Sequence, residues 1–107
     1  MKPFWLICVI GLLSNSVTSI DDFAFEFCVS LASITIPNNV TSIGLAAFGQ
    51  CVSLTGISIP SRVTIIRDMA FIGCSSLTSI TVDVSNNHYE IVNGELHAKD
   101  GMVIWKP

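Results

Sequence analysis

At 107 residues, with 50% of them hydrophobic and 12% charged, the chain is one domain's length and has ample material for a packed core. Five Lys and Arg stand against eight Asp and Glu, for a net charge of −3. The cations are scattered at Lys2, Arg62, Arg67, Lys99 and Lys106, whereas phosphate binding needs them clustered, so nucleic acid is excluded as a partner.

The chain opens with MKPFWLICVIGLLSNS, unlike everything after it. Lys2 supplies a positive start, Phe4–Leu13 an apolar run, and Ser14 and Ser16 the small residues before a cut after Ser16, which together read as a secretory signal peptide. The run falls short of the roughly 20 apolar residues that span a bilayer, so no membrane span is expected. A second reading makes Met1–Ser16 an N-terminal capping coil. Leu13-Ser14-Asn15-Ser16-Val17 aligns with Ile36-Pro37-Asn38-Asn39-Val40, although Ile10 and Leu12 fall out of register.

From Val17 the chain repeats itself every 23 residues. VTSIDDFAFEFCVSLASITIPNN is followed by VTSIGLAAFGQCVSLTGISIPSR from Val40 and by VTIIRDMAFIGCSSLTSITVDVS from Val63. Seven apolar columns align: Val17, Val40 and Val63; Ile20, Ile43 and Ile66; Phe25, Phe48 and Phe71; Cys28, Cys51 and Cys74; Leu31, Leu54 and Leu77; Ile34, Ile57 and Ile80; Ile36, Ile59 and Val82. Such columns bury their inner side only against a neighbouring copy, which predicts a coil of stacked rungs.

Within each copy the segment equivalent to Leu54–Ile59 alternates with period two and is rich in β-branched residues, so it reads as a parallel strand. Pro37 and Pro60 end it, having no N–H for a ladder. Val40–Ile43 reads as a second short strand. Gly44–Cys51 spaces Ala47, Phe48 and Cys51 as a single helical or 3₁₀ turn would, pointing Phe48 and Cys51 inward. The phenylalanines should then stack about one strand spacing apart, ~5 Å.

Cys28, Cys51 and Cys74 share a column whose side chains point the same way, a poor geometry for bridging, so they read as buried free thiols; Cys8 leaves with the signal peptide. After the repeats, Tyr89–Val92, Asn93-Gly94, Glu95–Ala98, Asp100-Gly101 and Met102–Trp105 read as a β-meander, because Asn-Gly and Asp-Gly are hairpin signals. The domain plan is therefore 1–16 leader or capping coil, 17–84 three repeats, and 85–107 a C-terminal β-hairpin or meander cap.

The pattern VTSI-x4-AF-x2-C-x2-L-x2-I-x-IP resembles the BspA-like leucine-rich repeat family, from Val17 to about Val84. The resemblance implies a right-handed parallel solenoid that serves as a binding surface in bacterial and protist surface proteins, without catalysis. It also implies that further repeats often follow such a meander, so the chain could be the front of a longer array.

Candidate chemistry is sparse. His88 and His97 lie in the cap near Asp83, Glu90, Glu95 and Asp100, a pattern that exposed alternating positions produce without function. With no CxxC pair, no HExxH and no glycine-rich phosphate loop, no enzyme activity, metal or cofactor is expected. What remains is the outward side of the main strands: Ser33 and Thr35, Gly56 and Ser58, Ser79 and Thr81 form two files of small, mostly hydroxyl-bearing residues where a protein partner would dock. Aromatic and Arg anchors are missing there, so binding is expected to be weak or avidity-dependent. Ice binding is a remote alternative for the same files, weakened by Gly56 and by serine where threonine would be ranked. Asn39-Val40-Thr41 is a sequon that could carry a glycan on Asn39. The expectation is a secreted or cell-surface protein-binding module, with an intracellular scaffold as the alternative.

Overall fold

A computed structural model describes Cys8 and residues 11–107. Lys2, Phe4–Ile7 and Val9–Ile10, on which most of the signal-peptide reading rests, lie outside the described residues. The strands are β1 (Ser19–Ile20), β2 (Ser42–Ile43), β3 (Gly56–Ile59), β4 (Ile65–Ile66), β5 (Ser79–Val82), β6 (Tyr89–Val92), β7 (Glu95–Ala98) and β8 (Val103–Trp105).

Parallel pairing follows the sequence repeat. β1, β2 and β4 form one sheet, with Ile20 opposite Ile43 and Ile43 opposite Ile66. β3 pairs with β5 from Gly56 opposite Ser79 to Ile59 opposite Val82. In the first copy the equivalent strand shrinks to isolated bridges, Ser33 with Gly56 and, on its other side, Leu12 with Thr35. Equivalent positions of successive copies therefore stack on one another, even where the residue differs, as at Ser42 and Ile65.

The interior is filled by the predicted columns. All their members are buried except Val17 and Val82, half-buried at the two ends of the array. Phe48 lies between Phe25 and Phe71 with ring centroids 5.3 and 5.8 Å away and planes within 2° and 5° of parallel. Stacked rings, set one rung apart, bury large apolar area at few conformational degrees of freedom.

The expected helical turn is absent. Residues 21–27, 44–50 and 67–73 are successive turns in which φ becomes positive at Phe23 and Phe27, at Ala46 and Gln50, and at Met69 and Gly73. A helix would close its amides internally; this alternation turns every second N–H toward the next copy. Phe23, Phe25 and Phe27 donate to the carbonyls of Leu45, Ala47 and Gly49 at 2.7–2.8 Å, and Ala46, Phe48 and Gln50 donate to Asp68, Ala70 and Ile72 at 2.7–3.1 Å. Left-handed backbone at non-glycine residues costs about 1–2 kcal/mol each, which an otherwise unmade inter-rung ladder of buried hydrogen bonds offsets. Gly44 permits the close approach at the start of the second turn segment: a Cβ there would collide with the backbone of Asp21 and Asp22. Asp22 instead accepts the Leu45 N–H through Oδ1 at 2.8 Å.

The C-terminal residues form an antiparallel meander in the order β6-β7-β8, with Tyr89 opposite Ala98 and Leu96 opposite Trp105. Asn93 (φ 53°) and Gly94 (φ 80°) supply the two positive dihedrals that a tight hairpin turn needs. Tyr89, Leu96 and Trp105 join the same hydrophobic cluster as the repeats.

One cysteine reading is corrected. Cys28 is bonded to Cys8, with Cα atoms 5.4 Å apart, and only Cys51 and Cys74 are buried free thiols. The column geometry did disfavour bridging between equivalent cysteines; Cys8 reaches Cys28 from a different column, so that objection does not apply to it.

Candidate binding face

The β3–β5 ladder and its bridges carry the candidate residues. Ser33, Gly56 and Ser79 lie in adjacent register, as do Thr35, Ser58 and Thr81, and Leu12 extends the second file by one position. Ser33, Thr35, Ser58, Ser79 and Thr81 are exposed, while Gly56 is half-buried. Alternation forces this arrangement, because Ile57, Ile59 and Ile80 take the core side of the same strands. Ser58 Oγ and Thr81 Oγ1 share a hydrogen bond at 2.8 Å, so the hydroxyls are partly ordered along the file.

Other hydroxyls that look equivalent in sequence are engaged with the backbone. Thr41 donates to the Thr18 carbonyl and Thr64 to the Thr41 carbonyl, each at 3.3 Å. Thr55 and Thr78 similarly donate to Ala32 and Thr55 at 3.4 and 3.5 Å. These groups staple one rung to the preceding one. Asn39, at the sequon, is also held in place: its Nδ2 donates to the Asn15 carbonyl at 3.2 Å and its Oδ1 accepts from Arg62 at 2.9 Å.

The titratable residues of the meander do not converge. His97 Nε2 lies 2.9 Å from Glu95 Oε1, whereas Asp83 and Asp100 accept backbone N–H bonds from Ser85 and Met102 in turns. His88 is exposed, and its N–H donates to the Asn86 side chain. Among the described residues no group of three His, Cys, Asp or Glu could hold a metal ion, and no helix is long and apolar enough to cross a membrane. The neighbouring Cys74 thiol and burial push the Cys51 pKa up, so its thiol stays protonated. Its Sγ donates to the Phe25 carbonyl at 3.1 Å, as Cys74 does to Phe48 at 3.0 Å.

Two residues that the sequence reading passed over lie directly after the third copy. Asn86 falls in the Val17 column and Tyr89 in the Ile20 column of what would be a fourth copy. Buried Asn86 donates to the carbonyls of Pro60 and Val63 at 2.9 and 3.1 Å and accepts from the N–H groups of His88 and Tyr89 at 2.8 and 2.9 Å. Tyr89 Oη accepts the Ile66 N–H at 2.7 Å, and burial pushes its pKa above the usual tyrosine value. Carrying the repeat register one copy further would have located both.

Known proteins share this construction. Residues 11–96 match the model of the BspA type leucine rich repeat region, 6 copies. No match is found among curated proteins. The crystal structure of a leucine rich cell surface protein from Faecalibacterium prausnitzii A2-165 is similar over 89% of this chain and 25% of its own, at 34% identity and a TM-score of 0.79. The pneumococcal vaccine antigen PcpA is similar over 78% of this chain and 27% of its own, at 25% identity and a TM-score of 0.58. This chain thus spans about a quarter of each of those solved chains. The stacked columns and the match over residues 11–96 lead to one assignment: the chain belongs to the BspA-type leucine-rich repeat family.

Proposed function

We propose that this chain is a non-catalytic protein-binding module of a secreted or surface-displayed protein, a right-handed parallel solenoid whose C-terminal meander covers its last rung. The observation that carries the reading is the pair of exposed files, Ser33 and Ser79 beside Thr35, Ser58 and Thr81, in register on one strand face. A similar solved structure is of a cell surface protein, and a Cys8–Cys28 disulfide suits an oxidising compartment. The files lack Trp, Tyr and Arg, so each module contributes little and display in many copies is what makes attachment durable.

The test uses beads carrying many copies of the folded chain, presented to immobilised extracellular-matrix proteins. Thr35→Arg combined with Ser58→Arg places bulk and charge on the file without touching the core. Bead capture should drop by about tenfold or more with that pair and persist with Asp68→Asn on the turn side. Equal capture by both variants would remove the strand face from the proposal.

A further inference from the structure

Shifted by one repeat, Cys8 falls in the column of Leu31, Leu54 and Leu77, and Gly11, Leu12 and Leu13 fall in those of Ile34, Thr35 and Ile36. From Gly11 onward the backbone keeps that register, whereas Cys8 is helical, unlike Leu31, Leu54 and Leu77. Leu12 bridges Thr35 in parallel, and the Thr35 N–H donates to the Gly11 carbonyl at 3.2 Å. Val17 donates to the Ser14 carbonyl at 3.1 Å in the same turn that joins Val40 to Pro37 and Val63 to Pro60. Gly11 is buried with φ at 65°, and a Cβ there would collide with the Ser33 carbonyl and the Ile34 Cα, so the chain lies directly on the first rung. The Cys8–Cys28 bond, spanning 20 residues, ties this segment to the first rung.

We propose that Cys8 and Gly11–Ser16 belong to an additional half-rung covering the N-terminal end of the repeats, with the Cys8–Cys28 disulfide as a redox-sensitive clasp that holds it there. Among the described residues, the Thr35–Gly11 bond and the Leu12 bridge tie this half-rung down alongside the covalent link. Its release uncovers Leu31, Ile34 and Ile36 and removes the first position of the Leu12–Thr35–Ser58–Thr81 file. The inference stands on the N-terminal packing and does not depend on the binding reading.

Opening is a two-electron reduction by a dithiol. Cys8 is half-buried and Cys28 only 2% exposed, so the reagent's thiolate attacks the Sγ of Cys8. The S–S bond breaks, the electron pair leaves on Cys28 Sγ, and that sulfur takes a proton. The reagent's second thiol then resolves the mixed disulfide, releasing Cys8 as a thiol and the reagent as its cyclic disulfide. Cys51, the next thiol in the column, is fully buried and donates its proton to the Phe25 carbonyl, so it does not supply an internal attacking thiolate.

The experiment compares the oxidised full chain, the chain reduced with dithiothreitol, and Cys8→Ser, reading amide hydrogen exchange at Thr35 and, as an internal reference, at Thr64, whose N–H donates to Thr41 at 2.8 Å. Thr35 exchange should quicken in both altered states by about tenfold or more beyond any change at Thr64, which reports global opening, and an equal change at the two sites overturns the clasp. Unchanged Thr35 exchange, or a non-reducing peptide map with Cys8 unbonded, overturns the clasp. So does a chain from the native host that begins at Val17.

Discussion

The repeat interior and the C-terminal meander solve the same packing problem by opposite means. Inside the repeats, each copy meets an identical copy, so Val, Ile, Phe, Cys and Leu columns suffice and the backbone finds its hydrogen-bond partners 23 residues away. After the third copy the columns are not continued by like residues: the Val and Ile positions are taken by Asn86 and Tyr89, whose side chains meet the backbone groups of Pro60, Val63 and Ile66. Like surfaces can propagate a stack; ending one requires polar groups placed where the ladder would otherwise be left open.

The largest break in this comparison should come from the middle of the aromatic column. Phe48 is fully buried between two rings, so Phe48→Ala should destabilise the fold by ~3–5 kcal/mol, read as a lowered urea midpoint. An unshifted midpoint would show that the column does not carry the stack. Asn86→Ala comes next. It removes a partner from the Pro60 carbonyl, which keeps the Val63 N–H, and takes the Asn86 partner from the Val63 carbonyl and from the N–H groups of His88 and Tyr89. It should therefore cost ~2–4 kcal/mol by the same measurement, far above the usual effect of trimming a surface asparagine.

Tyr89→Phe keeps the ring and removes only the acceptor for the Ile66 N–H, so about 1–2 kcal/mol is expected. If that variant is as stable as the parent, the hydroxyl has no part in ending the ladder. The smallest effect is a pH dependence. Burial raises the Tyr89 pKa, so its neutral form is favoured in the folded chain. That contribution is complete below the unfolded tyrosine value, near pH ~10, and is lost as pH rises through the higher folded value. Melts in buffers above pH ~10 should therefore show a downturn in the parent that Tyr89→Phe lacks.

Much of this was legible because repetition amplifies weak signals. A single Phe48 is only an apolar residue; with Phe25 and Phe71 at equal spacing it defines a stack. Asn93-Gly94 carried its own turn signature. The turn side was not legible, because Ala47, Phe48 and Cys51 have helical spacing while the conformation depends on positive φ at Phe23, Phe27, Ala46, Gln50 and Met69, residue types that do not announce it. Gly73, in the column of Phe27 and Gln50, was the single hint. Cys8 was obscured by Ile10 and Leu12, which break the visible pattern although Cys8 itself sits in the leucine column. The free hydroxyls of the candidate face were identified by alternation, but sequence gave no means of knowing that Ser58 and Thr81 bond to one another while Thr41 and Thr64 turn to the backbone.

Residue-resolved hydrogen exchange on the intact oxidised chain tests the central claim most directly, since one register is held to bond both the strand side and the turn side of every rung. Thr41 and Thr64 report the strand side, through carbonyls of Thr18 and Thr41, and Phe48 reports the turn side, through Ala70. The account predicts that all three exchange only through global unfolding, with equal protection. Exchange at Phe48 as fast as in a free peptide, with Thr41 and Thr64 still protected, would contradict it.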